Sequence, residues 1–346
     1  MAYANIVQIS CADKKEAFCR MRDFICKRNG TYDYSTTGIG WTLWDSSYAT
    51  DQNNPAINDW FVIKSAGEST KEDLYFRFTW ISGYIAIAGF QAWNPTAHTG
   101  GNQYKASTTD YVVDEALVPQ LWVYGDLDSI FVATKDAADT DVRFSLFGKA
   151  QKPWAYLDDQ VAICSSALTA GADKSITVDT VPAGWAVGRQ VFIRTTHTDA
   201  TATVKIEKIT IKTLAGTTIT ADLTNSYTAN SRLTDHVGYF CNNSAAALGS
   251  ANLLIDAAGT VGTGTVLVSY DLGVASTKND PSSYEDRFGM AEVGLSATAG
   301  FFGKVKNIYR IELGALALFD VLQELDGTQW RYIKVYNVTF YVFKEV

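Results

Sequence analysis

The sequence predicts a mainly β protein, made of β-sandwich or β-barrel modules with one amphipathic helix near the N-terminus. Two observations indicate this fold class. The 346 residues include 9 Trp, 18 Tyr and 17 Phe beside many Thr and Val, and these residue types are enriched in strands. Short runs that alternate apolar and polar residues recur along the chain, separated by turns of Gly, Asn, Asp and Ser. A hydrophobic content of 47% also indicates a globular core.

The first predicted element is a helix over residues 12–27. Ser10 or Asp13 can cap it, and Glu16 follows Asp13 at the spacing of a capping box. Three apolar residues line one face: Phe18, Met21 and Ile25. Such a helix can also lie on a membrane surface. Its apolar face is short and an aromatic stretch follows it, so packing against a sheet is favoured.

Residues 59–91 predict an antiparallel meander that seeds the core. Residues 60–63 are an apolar run, residues 74–80 alternate with the period of a half-buried strand, and residues 84–90 form a third run. Residues 41–44 form a strand that starts this sheet. Three strands joined by short turns are enough to build a hydrophobic face.

A long polar stretch that contains glycine, residues 91–110, follows the meander. Loops of this length are usually functional or in contact with a neighbour. Trp93 within it could stack on the face of a sugar, although a Trp beside Asn-Pro is more often packed than displayed.

A second meander is predicted over residues 121–147, and one of its turns carries Asp126 and Asp128. A metal-binding loop would need more acceptor groups at alternating positions. Aspartate is favoured in turns because it forms local hydrogen bonds. A plain turn is therefore the favoured interpretation.

A change of composition divides the chain. After Pro153 the sequence becomes rich in Thr, Ala, Val and Gly, and the aromatic residues return near the C-terminus. We therefore expect residues 1–155 plus 290–346 to form one aromatic-rich β domain. Residues 160–240 would be an inserted small β-barrel or β-sandwich module, and residues 241–289 an Ala/Gly-rich connecting or assembly segment.

The same composition suggests how the chain closes. Residues 330–343 are aromatic strands that resemble the first half of the chain. We expect them to pair with the sheet of residues 60–90.

Charge and cysteine content argue against several function classes. The net charge is −8 and no cluster of Lys or Arg stands out, which argues against nucleic-acid binding. Five cysteines are an odd number without a C-x-x-C spacing, so free thiols are expected: Cys11, Cys19, Cys26, Cys164 and Cys241. The three histidines are far apart in sequence, which argues against a metal site: His98, His197 and His236. The N-terminus lacks a signal-peptide pattern and no apolar run would span a bilayer, so we expect a soluble protein without a membrane partner.

Motifs for catalysis are also missing from the sequence. The glycines of residues 259–264 follow the order G-x-x-G-x-G without the Lys-Ser/Thr of a phosphate loop, so a turn between strands is favoured there. Neither G-x-S-x-G nor H-E-x-x-H occurs. We therefore predict no catalytic residue, no bound cofactor and no metal ligand.

A family resemblance rests mainly on residues 175–227. An opening strand leads to a Pro–aromatic–Val-Gly turn, and a later Gly, Ile-Thr, Leu and Tyr series closes the segment. The matching residues are Pro182, Trp185, Val187, Gly188, Gly216, Ile219, Thr220, Leu223 and Tyr227. This pattern resembles a small β module of tailed-bacteriophage structural proteins. Residues 59–80, 121–135 and 303–335 also resemble components of phage necks, tails or baseplates.

The resemblance implies a non-enzymatic structural subunit of a virion neck, collar, tail or baseplate. It would be made in the host cytoplasm and would act through contacts with its own copies and with other virion proteins. Two alternatives stay open, a capsid decoration protein and a receptor- or carbohydrate-binding protein that contacts a host-surface glycan. A tail enzyme that cleaves glycans is a third, but it needs a carboxylate pair that no local motif identifies.

Overall fold

The structure is a computed structural model that describes residues 4–47, 54–68, 70–71, 73–81, 84–103, 120–135, 143–149, 161–195, 205–234, 239–242, 252–255, 261–269, 291–297, 300–311, 321–323, 327, 329–335 and 339–345. Over these residues the fold is mainly β, with several antiparallel sheets and a single helix near the N-terminus. The fold class predicted from the sequence is confirmed. None of the helical residues described forms a segment long and apolar enough to cross a bilayer.

The helix, α1 (Lys14–Ile25), begins with a side-chain cap. Asp13 is the N-cap, because its Oδ1 accepts a hydrogen bond from the Glu16 backbone N–H at 2.8 Å. Glu16 adds a second contact at the helix start, since its Oε2 accepts a hydrogen bond from the N–H of Ala12, the residue before the N-cap, at 2.6 Å. The predicted apolar face is buried in the main core, so the helix packs against a sheet as expected.

Nine strands precede residue 150 in the described part of the chain. They are β1 (Ala4–Ser10), β2 (Thr42–Ser46), β3 (Trp60–Ser65), β4 (Leu74–Ile81), β5 (Tyr84–Asn94), β6 (Thr99–Gln103), β7 (Gln120–Gly125), β8 (Ser129–Lys135) and β9 (Arg143–Lys149). Strands β2 to β6 form a five-stranded antiparallel sheet in chain order. The predicted first meander is confirmed as β3, β4 and β5, and the second as β7, β8 and β9.

The sequence predicts a loop over residues 91–110, of which residues 91–103 are described. The prediction is wrong for these residues. Strand β5 continues through Asn94, and β6 pairs with it as a hairpin. The side-chain Oδ1 of Asn94 accepts hydrogen bonds from the N–H groups of Thr96 and Ala97, which closes a tight turn. The polar residues that suggested a long loop are partly this turn and partly an outer strand.

The main core lies between the five-stranded sheet and strands β7 to β9, with α1 packed against both. Rings fill it: the Phe76 and Phe147 centroids are 4.7 Å apart, and those of Trp41 and Phe76 are 5.8 Å apart. The Trp41 Nε1–H donates a hydrogen bond to the Asp126 carbonyl oxygen at 2.8 Å, which satisfies the buried indole. We call α1 and β1 to β9 the aromatic sandwich.

Residues 161–195 and 205–234 form a second β unit, which we call the module. Its strands are β10 (Val161–Ile163), β11 (Gly171–Thr177), β12 (Gln190–Arg194), β13 (Ile206–Thr210), β14 (Thr213–Ala215), β15 (Thr218–Leu223) and β16 (Arg232–Thr234). They form a four-stranded sheet, β10-β16-β12-β13, and a three-stranded sheet, β11-β15-β14. A separate core fills the space between the two sheets, so this unit has its own hydrophobic interior: Ile176, Trp185, Val191, Ile193, Ile219 and Leu233 are among its buried residues.

The strands after the module complete a large sheet. They are β17 (Tyr239–Asn242), β18 (Asn252–Ile255), β19 (Val261–Ser269), β20 (Ala291–Ala297), β21 (Gly300–Ile311), β22 (Val321–Gln323), β23 (Gln329–Val335) and β24 (Thr339–Glu345). The sheet has twelve strands in the order β1-β7-β8-β9-β17-β18-β19-β20-β21-β24-β23-β22. Strands β18 and β19 come from the Ala/Gly-rich residues 241–289. The turn expected over residues 259–264 is wrong from Val261 onward, because β19 begins there.

The pairing expected for the C-terminal strands is wrong. Strand β24 pairs with β21 and β23, and β23 pairs with β22 and β24, so both have neighbours on each side. Their sheet contains β7 to β9 and not β3 to β5. Aromatic composition alone could not show which of the two sheets the C-terminal strands join, because the large sheet and the five-stranded sheet both supply rings to the sandwich. The division of the chain into domains stays a prediction.

Candidate functional site

The turn between β3 and β4 contacts both units and takes part in several ion pairs. Asp73, at the end of this turn, is 2% exposed. Lys64 Nζ lies 3.3 Å from its Oδ1, and Arg232 Nη2 of the module lies 3.5 Å from its Oδ2. One buried carboxylate therefore binds a cation from each unit. We call Lys64, Asp73 and Arg232 the junction triad.

Burial tunes the groups around the junction triad. It lowers the pKa of Lys64, and the Asp73 carboxylate acts in the opposite direction. Burial also raises the pKa of Tyr75, and Asp73 adds to this effect. The positive charges of Arg194 and Arg232 favour the ionised tyrosine and so oppose it. Tyr75 therefore stays a neutral phenol, and the junction triad places two cations on one buried carboxylate.

Three further contacts join the module to the aromatic sandwich. Arg232 Nε–H donates a hydrogen bond to the Lys71 carbonyl oxygen at 2.8 Å. Lys71 Nζ lies 2.9 Å from Asp179 Oδ2. Burial raises the pKa of Asp179, but the Ile163 N–H and Lys71 outweigh that effect, and the pKa is lowered overall. Phe192 of β12 also packs against the main core. The arrangement fixes the orientation of the module.

The same turn binds the β7–β8 turn on its other side. Ser65 Oγ–H donates a hydrogen bond to the Leu127 carbonyl oxygen at 2.6 Å, and the Glu68 N–H donates one to Asp128 Oδ1 at 2.9 Å. Asp126 Oδ1 accepts hydrogen bonds from the N–H groups of Asp128 and Ser129, both at 2.9 Å. The turn predicted at these two aspartates is confirmed, and it joins the two sheets.

Asp128 is a buried carboxylate with a raised pKa. It is 5% exposed, and burial raises its pKa to about 6. The neighbouring Asp126 and Glu68 raise the pKa further, whereas Lys149 and the hydrogen bond from the Glu68 N–H lower it. A buried acid that titrates near neutral pH therefore lies where the two sheets meet.

The outer face of the five-stranded sheet carries a second cluster. Trp93, the residue considered for sugar stacking, is 1% exposed, and its Nε1–H donates a hydrogen bond to Asp45 Oδ2 at 2.7 Å. It is packed, as its Asn-Pro context indicated. His98 Nδ1 lies 3.0 Å from the same carboxylate oxygen. The Trp60 ring lies between them, with centroids 5.5 Å from Trp93 and 5.8 Å from His98.

Two cations lie on this outer face. Lys64 Nζ is 4.4 Å from the Trp44 ring centroid. The Arg77 guanidinium is 5.4 Å from the centroid of Phe90 and 5.9 Å from that of Trp93. Arg77 belongs to the middle of β4, between Tyr75 and Thr79 in the strand alternation.

The cysteines provide no reactive group in the residues described. Cys11, Cys19, Cys26 and Cys164 are unpaired, so the predicted free thiols are confirmed for these four, and the side chain of Cys241 lies outside the described ones. Burial raises the pKa of Cys11, Cys26 and Cys164 to about 12, which keeps them as thiols. Over the same part of the chain, no group of three or more His, Cys, Asp or Glu side chains is placed to hold a metal ion.

No protein-family model matches the chain, and no curated protein is significantly similar to it.

Sequence reasoning missed three members of the outer-face cluster. His98 was expected to be isolated, and its contact with Asp45 across the sheet shows otherwise. Trp60 and Arg77 were assigned only to scaffold strands. The available signal was the alternation in β4, which places a cation on the face that Tyr75 also occupies.

Proposed function

We propose that the chain is a non-enzymatic structural subunit of a bacteriophage virion, in the neck, tail or baseplate. It acts through contacts with its own copies and with neighbouring virion proteins. The phage-like pattern of residues 175–227 supports this assignment, as does the β-rich fold. The junction triad adds a mechanical reason, because a subunit that bears load needs its two units held in one orientation.

Two outer strands of the aromatic sandwich carry the proposal. Proteins usually protect sheet edges with charged side chains, Pro or very short strands. The longer outer strands of the module follow this rule, since β13 contains Glu207 and Lys208, and β11 contains Asp173 and Lys174. Strands β1 and β6 contain no charged residue, and the described ladders pair each on one side. Uncharged edges of this kind suit the addition of a strand from another subunit.

Sedimentation velocity tests this proposal with a lysine placed on each uncharged edge. Ser10 and Thr99 are exposed residues of β1 and β6, and a Ser10→Lys/Thr99→Lys variant should shift wild-type oligomers toward the monomer. Thr177 and Thr210 are exposed residues of β11 and β13, so Thr177→Lys/Thr210→Lys is the matched control and should assemble like wild type.

A wild-type protein that stays monomeric at high concentration would contradict self-assembly. Equal behaviour of the two double variants would show that β1 and β6 are not the contacts. The virion assignment has its own measurement: mass spectrometry of purified phage particles should detect the chain as a particle component.

A further inference from the structure

Arg77 is a half-buried cation that no carboxylate of the described residues neutralises. Its Nε is buried without a hydrogen-bond acceptor, and no carboxylate of the described residues lies within ion-pair distance of the guanidinium. Burial lowers the pKa of Arg77, and no neighbouring charge counteracts this effect. A guanidinium taken partly out of water without a counter-ion is unfavourable unless an external group completes it.

Lys64 is a cation of the same sheet that, unlike Arg77, has a carboxylate partner. It lies on the same outer face, one strand away, and Asp73 neutralises it at 3.3 Å. The residues directly across from Arg77 on the neighbouring strands are Val62 and Ala88, which offer no charge. Arg77 is instead held by the rings of Phe90 and Trp93. The two rings set the position of the guanidinium, and its Nε has no hydrogen-bond acceptor among the described residues.

The partly exposed rings of Trp60 and His98, which we call the aromatic shelf, lie near Arg77. Trp60 lies opposite Thr79, two residues along from Arg77, so the two are diagonal neighbours at a typical Cα spacing of about 7–8 Å. The Trp60 backbone is fixed by Ser47, whose Oγ accepts a hydrogen bond from the Trp60 N–H at 2.8 Å. The side chain of His98, which is 56% exposed, extends the shelf, and its Nδ1 lies 3.0 Å from Asp45 Oδ2. Trp60 itself is partly exposed.

We propose that Arg77, Trp60 and His98 form a binding site for an acidic saccharide. The Arg77 guanidinium would bind the sugar carboxylate through its Nη atoms, since Nε is buried. The C–H face of the sugar ring would stack on Trp60, and His98 would hydrogen-bond to a hydroxyl group. This site goes beyond the structural role and does not depend on self-assembly. It also differs from the Trp93 site suggested by the sequence, because Trp93 is buried beneath the shelf.

Isothermal titration with glucuronate tests this site, with glucose and acetate as comparison ligands. Wild type should bind glucuronate at least about tenfold more tightly than either one, since each lacks one half of the interaction. Arg77→Gln should lose about tenfold or more in affinity for glucuronate and become similar in affinity for glucuronate and glucose. Arg77→Lys keeps the charge but not the planar fork, so its affinity should fall between the two. Lys208→Gln, which removes an exposed charge of β13, is the control and should bind like wild type.

Circular dichroism should show that both Arg77 variants fold, which separates lost binding from lost structure. The proposal is overturned if wild type fails to bind glucuronate, or if Arg77→Gln binds it as tightly as wild type does. Acetate binding as tight as glucuronate binding would also overturn it, because that result indicates a simple anion site without a sugar shelf. None of these results depends on whether the protein assembles.

Discussion

The aromatic sandwich and the module bury their cores with different chemistry. Rings dominate the sandwich: Phe61 and Phe78 stack at 4.8 Å, and Phe76 lies 4.7 Å from Phe147. Aliphatic side chains dominate the module, with Ile residues on strands of both sheets. Rings have few rotamers and preferred mutual angles, so they define one arrangement of two sheets and a helix more strictly than aliphatic packing does.

The two units also place their acids differently. The sandwich buries Asp23, Asp73 and Asp128, each at 5% exposure or less. The module keeps Asp173 and Asp222 at the surface, where Lys212 Nζ lies 2.7 and 2.6 Å from their carboxylates. Buried acids are costly unless paired, so they mark contacts that specify geometry. Surface pairs are weak and replaceable.

The ring core should give the largest effect. Phe76→Ala removes a fully buried ring that contacts Trp41 and Phe147. The free energy of unfolding should fall by about 3–5 kcal/mol, measured by denaturant titration. Val187→Ala in the module is the control, because Val187 is 63% exposed and its loss should change stability by about 0.5 kcal/mol or less. A loss below about 1 kcal/mol for Phe76→Ala would show that the sandwich repacks as easily as an aliphatic core.

Substitution of a buried acid should cost more free energy of unfolding than substitution of a surface acid. Asp73→Asn leaves Lys64 and Arg232 in the junction without their shared carboxylate, and should lower the free energy of unfolding by about 3 kcal/mol. Asp222→Asn breaks a surface pair and should have no measurable effect. Chemical denaturation of both variants checks this contrast. Similar losses would mean that the junction is wetter than its burial indicates.

The contributions of Asp128 in the sandwich and Asp222 in the module to stability should change in opposite directions with pH. The pKa of Asp128 is raised to about 6, above its unfolded value of about 3.9, so the folded state binds the proton more tightly. Its contribution to stability is therefore present at low pH and is lost as the pH rises from about 4 to about 6. Asp222 has a lowered pKa, so its contribution is present above about pH 3.9 and is lost as the pH falls.

Thermal unfolding between pH 4 and 7 should therefore show a difference between wild type and Asp128→Asn. In wild type, ionisation of Asp128 should lower the free energy of unfolding by on the order of 2–3 kcal/mol across this range, and the variant should not show this decrease. Asp126→Asn is not a suitable control, because Asp126 faces Asp128. Asp222→Asn is suitable, and its curve should keep the wild-type decline. Parallel curves for wild type and Asp128→Asn would mean that Asp128 is ionised freely in the folded protein.

The elements predicted well from sequence are those with a local physical signal. The α1 cap follows from the spacing of Asp13 and Glu16, and the β3–β5 meander from strict alternation and short turns. The turn at Asp126 and Asp128 follows from the local hydrogen bonds that aspartate makes. Each of these interactions joins residues close together in the chain.

The elements missed are those that depend on distant partners. Arg232 meets Asp73 across about 160 residues, and no pattern near either residue indicates the other. His98 finds Asp45 only because β5 and β6 return across the sheet. The C-terminal strands carry aromatic residues suited to either sheet, so composition could not decide their neighbours. The sequence identifies the charged and aromatic residues, but which of them contact one another depends on the strand order.

The strand order has a consequence for how the chain folds. Strands β9 and β17 are neighbours in the large sheet, with Lys149 opposite Tyr239, although roughly ninety residues separate them. The module occupies most of that interval, and its first and last strands pair directly, with Val161 opposite Thr234. Once the module has folded, the two ends of the interval are close, and the effective loop shrinks to about fifteen residues. That reduces the entropy cost of closing the loop by about 1.5 kcal/mol and favours a folding order in which the module forms before the sheet closes around it.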